Sequence, residues 1–171
     1  MATSPDASST DAFAAGKRAL LRHGVATLAY RAGKAVRSAP PELASFCVGD
    51  ASRTPLQLLA HMGDLLEWAL SLAEGQQRWN VATPSTWEEE SARFFAALAR
   101  VDEYLGSDRP LGKSAERILQ GPIADALTHV GQLMMLRRLA DCPVRSENYA
   151  AADIAAGRVS VEQSAPKFEF D

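Results

Sequence analysis

The stretch TPLQLLAHMGDLLEW, residues 54–68, opens with a complete set of helix-start signals. Thr54 reads as the N-cap, Pro55 occupies the first helical position where its missing N–H costs nothing, and Gln57 closes a capping box. From there Leu58, Leu65 and Trp68 recur around His61 at helical spacing, which places the imidazole on or beside an inward stripe. The helix runs to about Glu74 and stops at Gly75.

Upstream, residues 40–53 are a connection rich in Pro, Gly and Ser. Before it, Phe13, Leu20, Leu21, Val25 and Leu28 recur at helical spacing and predict a helix from Asp11 to about Ser38, ended by Pro40-Pro41. The first ten residues, MATSPDASST, are small and polar and read as a loose N-terminus. Downstream, Ser85 with Glu88, or Thr83 with Pro84, starts a third helix that carries Phe94, Phe95, Leu98 and Val101 inward and ends near Gly106. Residues 111–120 form a short helical piece. Gly121-Pro122 then breaks or kinks the chain before a long apolar helix from Pro122 to Ala140, closed by Cys142-Pro143. Arg137 and Arg138 in its last turn offset the helix dipole. The tail, 143–171, holds at most one short helix around Ala150 to Ala156, and its terminal aromatics suggest packing on the bundle or on a partner.

Composition agrees with this reading. The 171 residues include 31 Ala and 19 Leu but only 12 Val and Ile together, so the apolar content lies in helix formers rather than strand formers. The expected fold is therefore all-α, a four-helix bundle over 11–142 with an irregular tail. A chain of this size buries roughly two-thirds of its unfolded surface and needs no structural metal, so a metal here would be functional. A net charge of -3 without a basic block argues against nucleic-acid binding, and no stretch is apolar enough for a membrane anchor. The polar N-terminus lacks the form of a signal peptide, and the unpaired Cys47 and Cys142 suit reduced thiols, so a cytoplasmic protein is expected.

Only three histidines occur, and two stand on predicted core helices: His61 and His129. Asp125 precedes His129 by four residues, which on a helix brings the two Cβ atoms to roughly 6 Å and lets both side chains reach one ion. With His61 from a facing helix they make a two-histidine, one-carboxylate set suited to zinc, nickel, iron or manganese. Asp125 also reads as a first-turn carboxylate favoured by the helix dipole. Gln132 follows His129 by three residues on the same face. Asp64 reads either as an acceptor that orients His61 or as solvated surface. His23 has no motif around it and reads as non-ligating, and Trp68, Trp79 and Trp87 read as core or rim packing. Acidic residues dominate around the site, and no arginine pair is available to clamp a phosphate.

The stretches TPLQLLAHMGDLLEW (54–68) and DALTHVGQLMMLRR (125–138) resemble helices two and four of the DinB-like superfamily, over residues 11–141. The resemblance implies an up-up-down-down four-helix bundle that binds a divalent metal through a helix-two histidine and an HxxxHxxQ run on helix four. Carried over, these are His61, His129 and Gln132, with Asp125 standing where the first helix-four histidine belongs. It further implies a metal-dependent thiol transferase or hydrolase acting on a small molecule or a low-molecular-weight thiol, and a homodimer. The alternative is a non-catalytic binding bundle or stress-associated dimer in which His61, Asp125 and His129 only hydrogen-bond one another.

Overall fold

A computed structural model describes residues 7–170, and the side chains of 11–170. It is all-helical: α1 spans Ala7–Val36, α2 Pro55–Ala73, α3 Trp87–Gly106, α4 Ala115–Ile118 and α5 Ala124–Leu139, with a 3-10 turn at Pro41–Ser45 and a π turn at Leu119–Ile123. No strand occurs among the described residues, where one antiparallel bridge pairs Glu147 with Glu169. No described helix is long and apolar enough to cross a membrane.

The start of α2 is the one the sequence specifies. Thr54 Oγ1 accepts from Gln57 N at 3.3 Å and Gln57 Oε1 accepts from Thr54 N at 2.9 Å. Such a reciprocal cap is worth about 1 kcal/mol. α3 starts one residue later than Ser85, because Thr86 is the residue whose hydroxyl accepts from Glu89 N, while Ser85 turns outward to bond the Glu89 carboxylate. Three glutamates fill the first turn of α3, where the dipole favours them.

Gly121-Pro122 does not break the chain. Ser114 caps α4, and the backbone passes Pro122 by widening into the π turn, which accommodates the missing N–H, before continuing as α5. α1 begins at Ala7, ahead of the expected Asp11; residues 1–6 of the expected loose N-terminus lie outside the described residues. The short helix expected near Ala150 to Ala156 is absent, replaced by turns in which Ala151 N bonds Asn148 O and Arg158 N bonds Ala155 O.

α2 lies against α3 and α5, and α1 lies against the same two helices. Arg18, early in α1, donates to the carbonyls of Tyr104 and Leu105 at the end of α3, so these helices are antiparallel. Lys17 pairs with Glu116 in α4, and Arg137 at the end of α5 donates to Ala35 O at the end of α1, so α1 and α5 run the same way. Gly112, beyond the end of α3, donates to Ala73 O at the end of α2, so α2 runs with α3. In chain order the long segments run up, down, down, up. This corrects the expected up-up-down-down order: the ends of α1 and α2 point opposite ways.

The shared core is closed by Leu28, Leu59, Met62, Leu66, Phe94 and Leu133, none more than 1% exposed. Leu21 and Val25 join it, whereas Phe13 and Leu20 of the same predicted stripe are exposed. Residues 143–170 fold back onto their own helices. Val159 is buried and Ile154 and Val161 pack against the core. Lys34 of α1 donates to Glu147 at 2.9 Å and Glu169 at 2.5 Å, and Tyr30 donates to Glu147 at 2.6 Å. Burial, and then the bond to Glu147, push the Tyr30 phenol above its ordinary range. Because the Glu147 side chain is fully buried, Lys34→Met leaves an uncompensated charge, and we expect chemical denaturation to show a loss of about 3–5 kcal/mol. Limited proteolysis of the same variant should cut within 143–170 faster than in the native chain; unchanged stability and cleavage would show that the network does not hold this segment.

Candidate metal centre

His61 sits in the second turn of α2, and Asp125 and His129 stand one turn apart at the start of α5. The facing of α2 and α5 brings them together: one ligand atom from each of the three lies within 4.8 Å of the others. Asp125 Oδ1 is 3.3 Å from His129 Nε2, and its Oδ2 is 3.9 Å from His61 Nε2. The two imidazoles meet edge to face with centroids 4.9 Å apart. Metal–ligand bonds of about 2.1 Å set neighbouring donors of a tetrahedral ion roughly 3.4 Å apart. The cluster is already near that spacing.

Gln132 selects the tautomer. His129 Nδ1 donates to Gln132 Oε1 at 2.8 Å, which leaves the Nε2 lone pair pointing toward the Asp125 carboxylate. Two acceptors at 3.3 Å repel unless a proton or a cation is shared between them. Burial, followed by the positive charge of Arg53, pushes the His61 pKa below its ordinary value, so His61 holds its neutral, ligating form. These residues therefore fit a divalent ion in donor type, spacing and protonation. The side chains of His61 and His129 are 19% and 11% exposed, whereas that of Asp125 is 48% exposed, so the cluster keeps one open side.

Two separate clefts border the cluster. One, of about 390 Å³, is walled by Leu65, Trp68 and Trp79 and reaches His61 and Asp125. The other, of about 420 Å³, is walled by Leu58, Met135 and Leu136, reaches His129, and carries Arg53 on its lining. Trp79 stacks edge to face on both His61 and Trp68. The tryptophans thus do more than close a rim, a role hidden in the sequence because Trp79 lies in the irregular segment after α2.

Asp64 does not orient His61, and it is not solvated. It is buried on the flank of α2 that faces α3, where its oxygens accept from Arg93 Nη1 at 2.9 Å and Ala82 N at 3.3 Å. Arg93 also donates to Glu90 and to Ala60 O. Its guanidinium crosses so close to Gly63 that a Cβ there would sit 2.7 Å from Arg93 Cζ. His23 is exposed on α1 and belongs to no such cluster. Cys47, in the loop before α2, is exposed with Sγ 3.4 Å from Ser52 Oγ and 3.0 Å from Gly49 O; the Ser52 contact chiefly lowers its pKa. Arg137 and Arg138 do more than complement a dipole. Buried Arg137 donates to Ala35, Arg37 and Cys142 carbonyls, joining the ends of α1 and α5.

Comparison with protein-family models, with curated proteins and with solved structures found no match.

The lowered pKa of His61 has a defined sign. Its folded value lies below the unfolded one, so the native state binds the proton less readily and its stability falls as pH drops through and below about 6.5. In chelator-treated protein, an NMR titration of His61 should have its midpoint below 6.5. A midpoint at or above that value would contradict the burial argument.

Proposed function

We propose that the chain is a DinB-like four-helix bundle whose His61, Asp125 and His129 hold one divalent ion, zinc, nickel, iron or manganese, and that it acts as a metal-dependent thiol transferase or hydrolase on a small molecule. The observation that carries this reading is the convergence of three ligand atoms within 4.8 Å on two facing helices, with one flank open. The resemblance of residues 54–68 and 125–138 to the DinB-like helices supports the same residues.

When bound, such an ion supplies Lewis acidity that lowers the pKa of a water or thiol to near neutrality. The chain's own groups do the rest. His61 presents a neutral nitrogen, Gln132 holds the His129 ring by its bond to Nδ1, and Asp125 adds the carboxylate of the set. Trp68, Trp79 and Leu65 on one side, and Leu58, Met135 and Leu136 on the other, exclude water from the approach. Arg53 places a cation at the second cleft, suited to a thiolate or carboxylate of an incoming molecule. Two separate clefts, one lined by His61 and Asp125 and the other by His129, suit a reaction with two reactants, which favours transfer over hydrolysis. Asp125 stands where the family has an imidazole, and a carboxylate is an accepted ligand type for such metals.

Elemental analysis of protein purified without chelator or affinity-tag metal should find one divalent ion per chain, lost in His129→Ala. Gln132→Leu, which frees the His129 tautomer, should weaken affinity about 10–100-fold, and Asp125→His should retain the ion. A metal content no higher than background, or one unchanged by His61→Ala and His129→Ala, would contradict the proposal and leave the cluster as a hydrogen-bonded core element.

A further inference from the structure

The cleft beside His61 differs in chemistry from the one beside His129, and the difference points to a reactant. Leu65, Trp68 and Trp79 wall a space of about 390 Å³ that ends on His61 and Asp125, and exposed Gln77 completes its lining. We propose that this cleft binds a neutral, flat aromatic group and that Trp79 is the residue that selects it. The inference rests on the reading of the cluster as a metal centre for the ring's role as part of a substrate, and on the cleft alone for its binding.

Charge narrows the occupant first. Of the six side chains that line the cleft only Asp125 is charged, so no cation is present there to hold an anion. Arg53, the cation of the other cleft, is not among them. With a divalent ion shared between His61, Asp125 and His129, this end of the cleft carries a net positive charge, which disfavours an organic cation. A neutral guest fits both conditions, and the Gln77 amide can bond a polar substituent on it. The volume falls near the lower end of the roughly 300–1,000 Å³ typical of small-molecule sites, which suits a compact ring system.

The placement of Trp79 narrows it further. Its indole is 47% exposed, although it is among the largest apolar side chains of the molecule. Its ring centroid lies 5.9 Å from that of His61 and 5.7 Å from that of Trp68, at interplanar angles of 76° and 83°. Both contacts are edge to face, and among the described residues no ring lies parallel to either indole. A flat guest adds the offset-stacked contact that the protein leaves unmade.

Trp79 is also held in place. The irregular stretch 74–86 that carries it is fastened on both sides of the indole: Arg78 N donates to Ser71 Oγ at 3.3 Å, and Ala82 N donates to Asp64 at 3.3 Å. Asp64 is fixed in turn by Arg93 at 2.9 Å, and Ser85 N donates to Glu90 at 3.1 Å. Both carboxylates are buried, so two charged groups of α2 and α3 are committed to the backbone of this one segment. Trp68 is braced on Gly121, where a Cβ would come 3.4 Å from its ring. Walls fixed before the guest arrives lower the ordering cost of binding.

Isothermal titration of the zinc-loaded, full-length protein with three probes of similar size tests the proposal: 2-naphthylmethanol, its fully saturated analogue, and (2-naphthylmethyl)trimethylammonium. 2-Naphthylmethanol should bind at least about fivefold more tightly than either of the others. Trp79→Leu, which keeps an apolar wall, should bring it level with the saturated analogue, and Trp79→Phe should fall between. Val81→Ala, exposed on the same segment and outside the lining, should leave all three unchanged. Equal affinity for the aromatic and saturated probes, tighter binding of the ammonium, or an unchanged affinity in Trp79→Leu and Trp79→Phe would overturn the proposal. Elemental analysis of the same samples separates the two readings. One zinc per chain with no heat from 2-naphthylmethanol at millimolar concentration would sink this inference and leave the metal centre standing. Trp79-dependent binding of 2-naphthylmethanol in protein that takes up no zinc would sink the metal centre and leave the cleft as an aromatic site.

Discussion

The contact between α2 and α5 sets three acceptor groups within a few ångströms of one another, and most of the structure's features serve to hold them there. His129 Nδ1–H donates to Gln132 Oε1, so Nε2 faces the Asp125 carboxylate at 3.3 Å. His61 is kept neutral by burial on the opposite helix. An apolar core gains nothing from such crowding, because each of these groups would be better solvated apart. A shared cation turns the same spacing into a favourable one.

The helices are built to present this cluster. The reciprocal cap at Thr54 and Gln57 fixes where α2 begins, and therefore which face His61 occupies. The π turn at Leu119–Ile123 carries the chain past Pro122 without ending the helix, and α5 follows with Asp125 and His129 set against His61 of α2. Trp68 lies over Gly121 in that turn, where an added Cβ would come within 3.4 Å of the indole, so the wall of one cleft also packs on the bend. On the far side, Arg137 joins the ends of α1 and α5 through backbone carbonyls. The C-terminal segment is bound to α1 by the buried pairing of Lys34 with Glu147.

Much of this was legible in the residues. The capping box at Thr54, the inward positions of Phe94 and Leu98, and the pairing of Asp125 with His129 all depend on spacing within one helix, which sequence states directly. Gln132 could be placed beside His129 for the same reason. What depended on a second element was not legible. Asp64 is three residues from His61, yet it is buried against Arg93 on α3, so neither local alternative, an acceptor for His61 or solvated surface, holds. Pro122 carries a strong stop signal, and the fold overrides it with a wider turn. Helix direction was misjudged for a related reason: the connection between α1 and α2 is long enough for either sense, and only side-chain bonds such as Arg18 to the end of α3 decide it.

The two regions divide the molecule in a simple way. One flank of α5 brings His129 and Asp125 against His61 of α2, and the other receives the folded-back C-terminal segment. The central claim is the first. An anomalous difference map from crystals of the zinc-loaded protein measures it directly. The account predicts one strong peak about 2.1 Å from His61 Nε2, His129 Nε2 and an Asp125 oxygen together. A map with no peak between α2 and α5, or with zinc only at surface carboxylates, would contradict it.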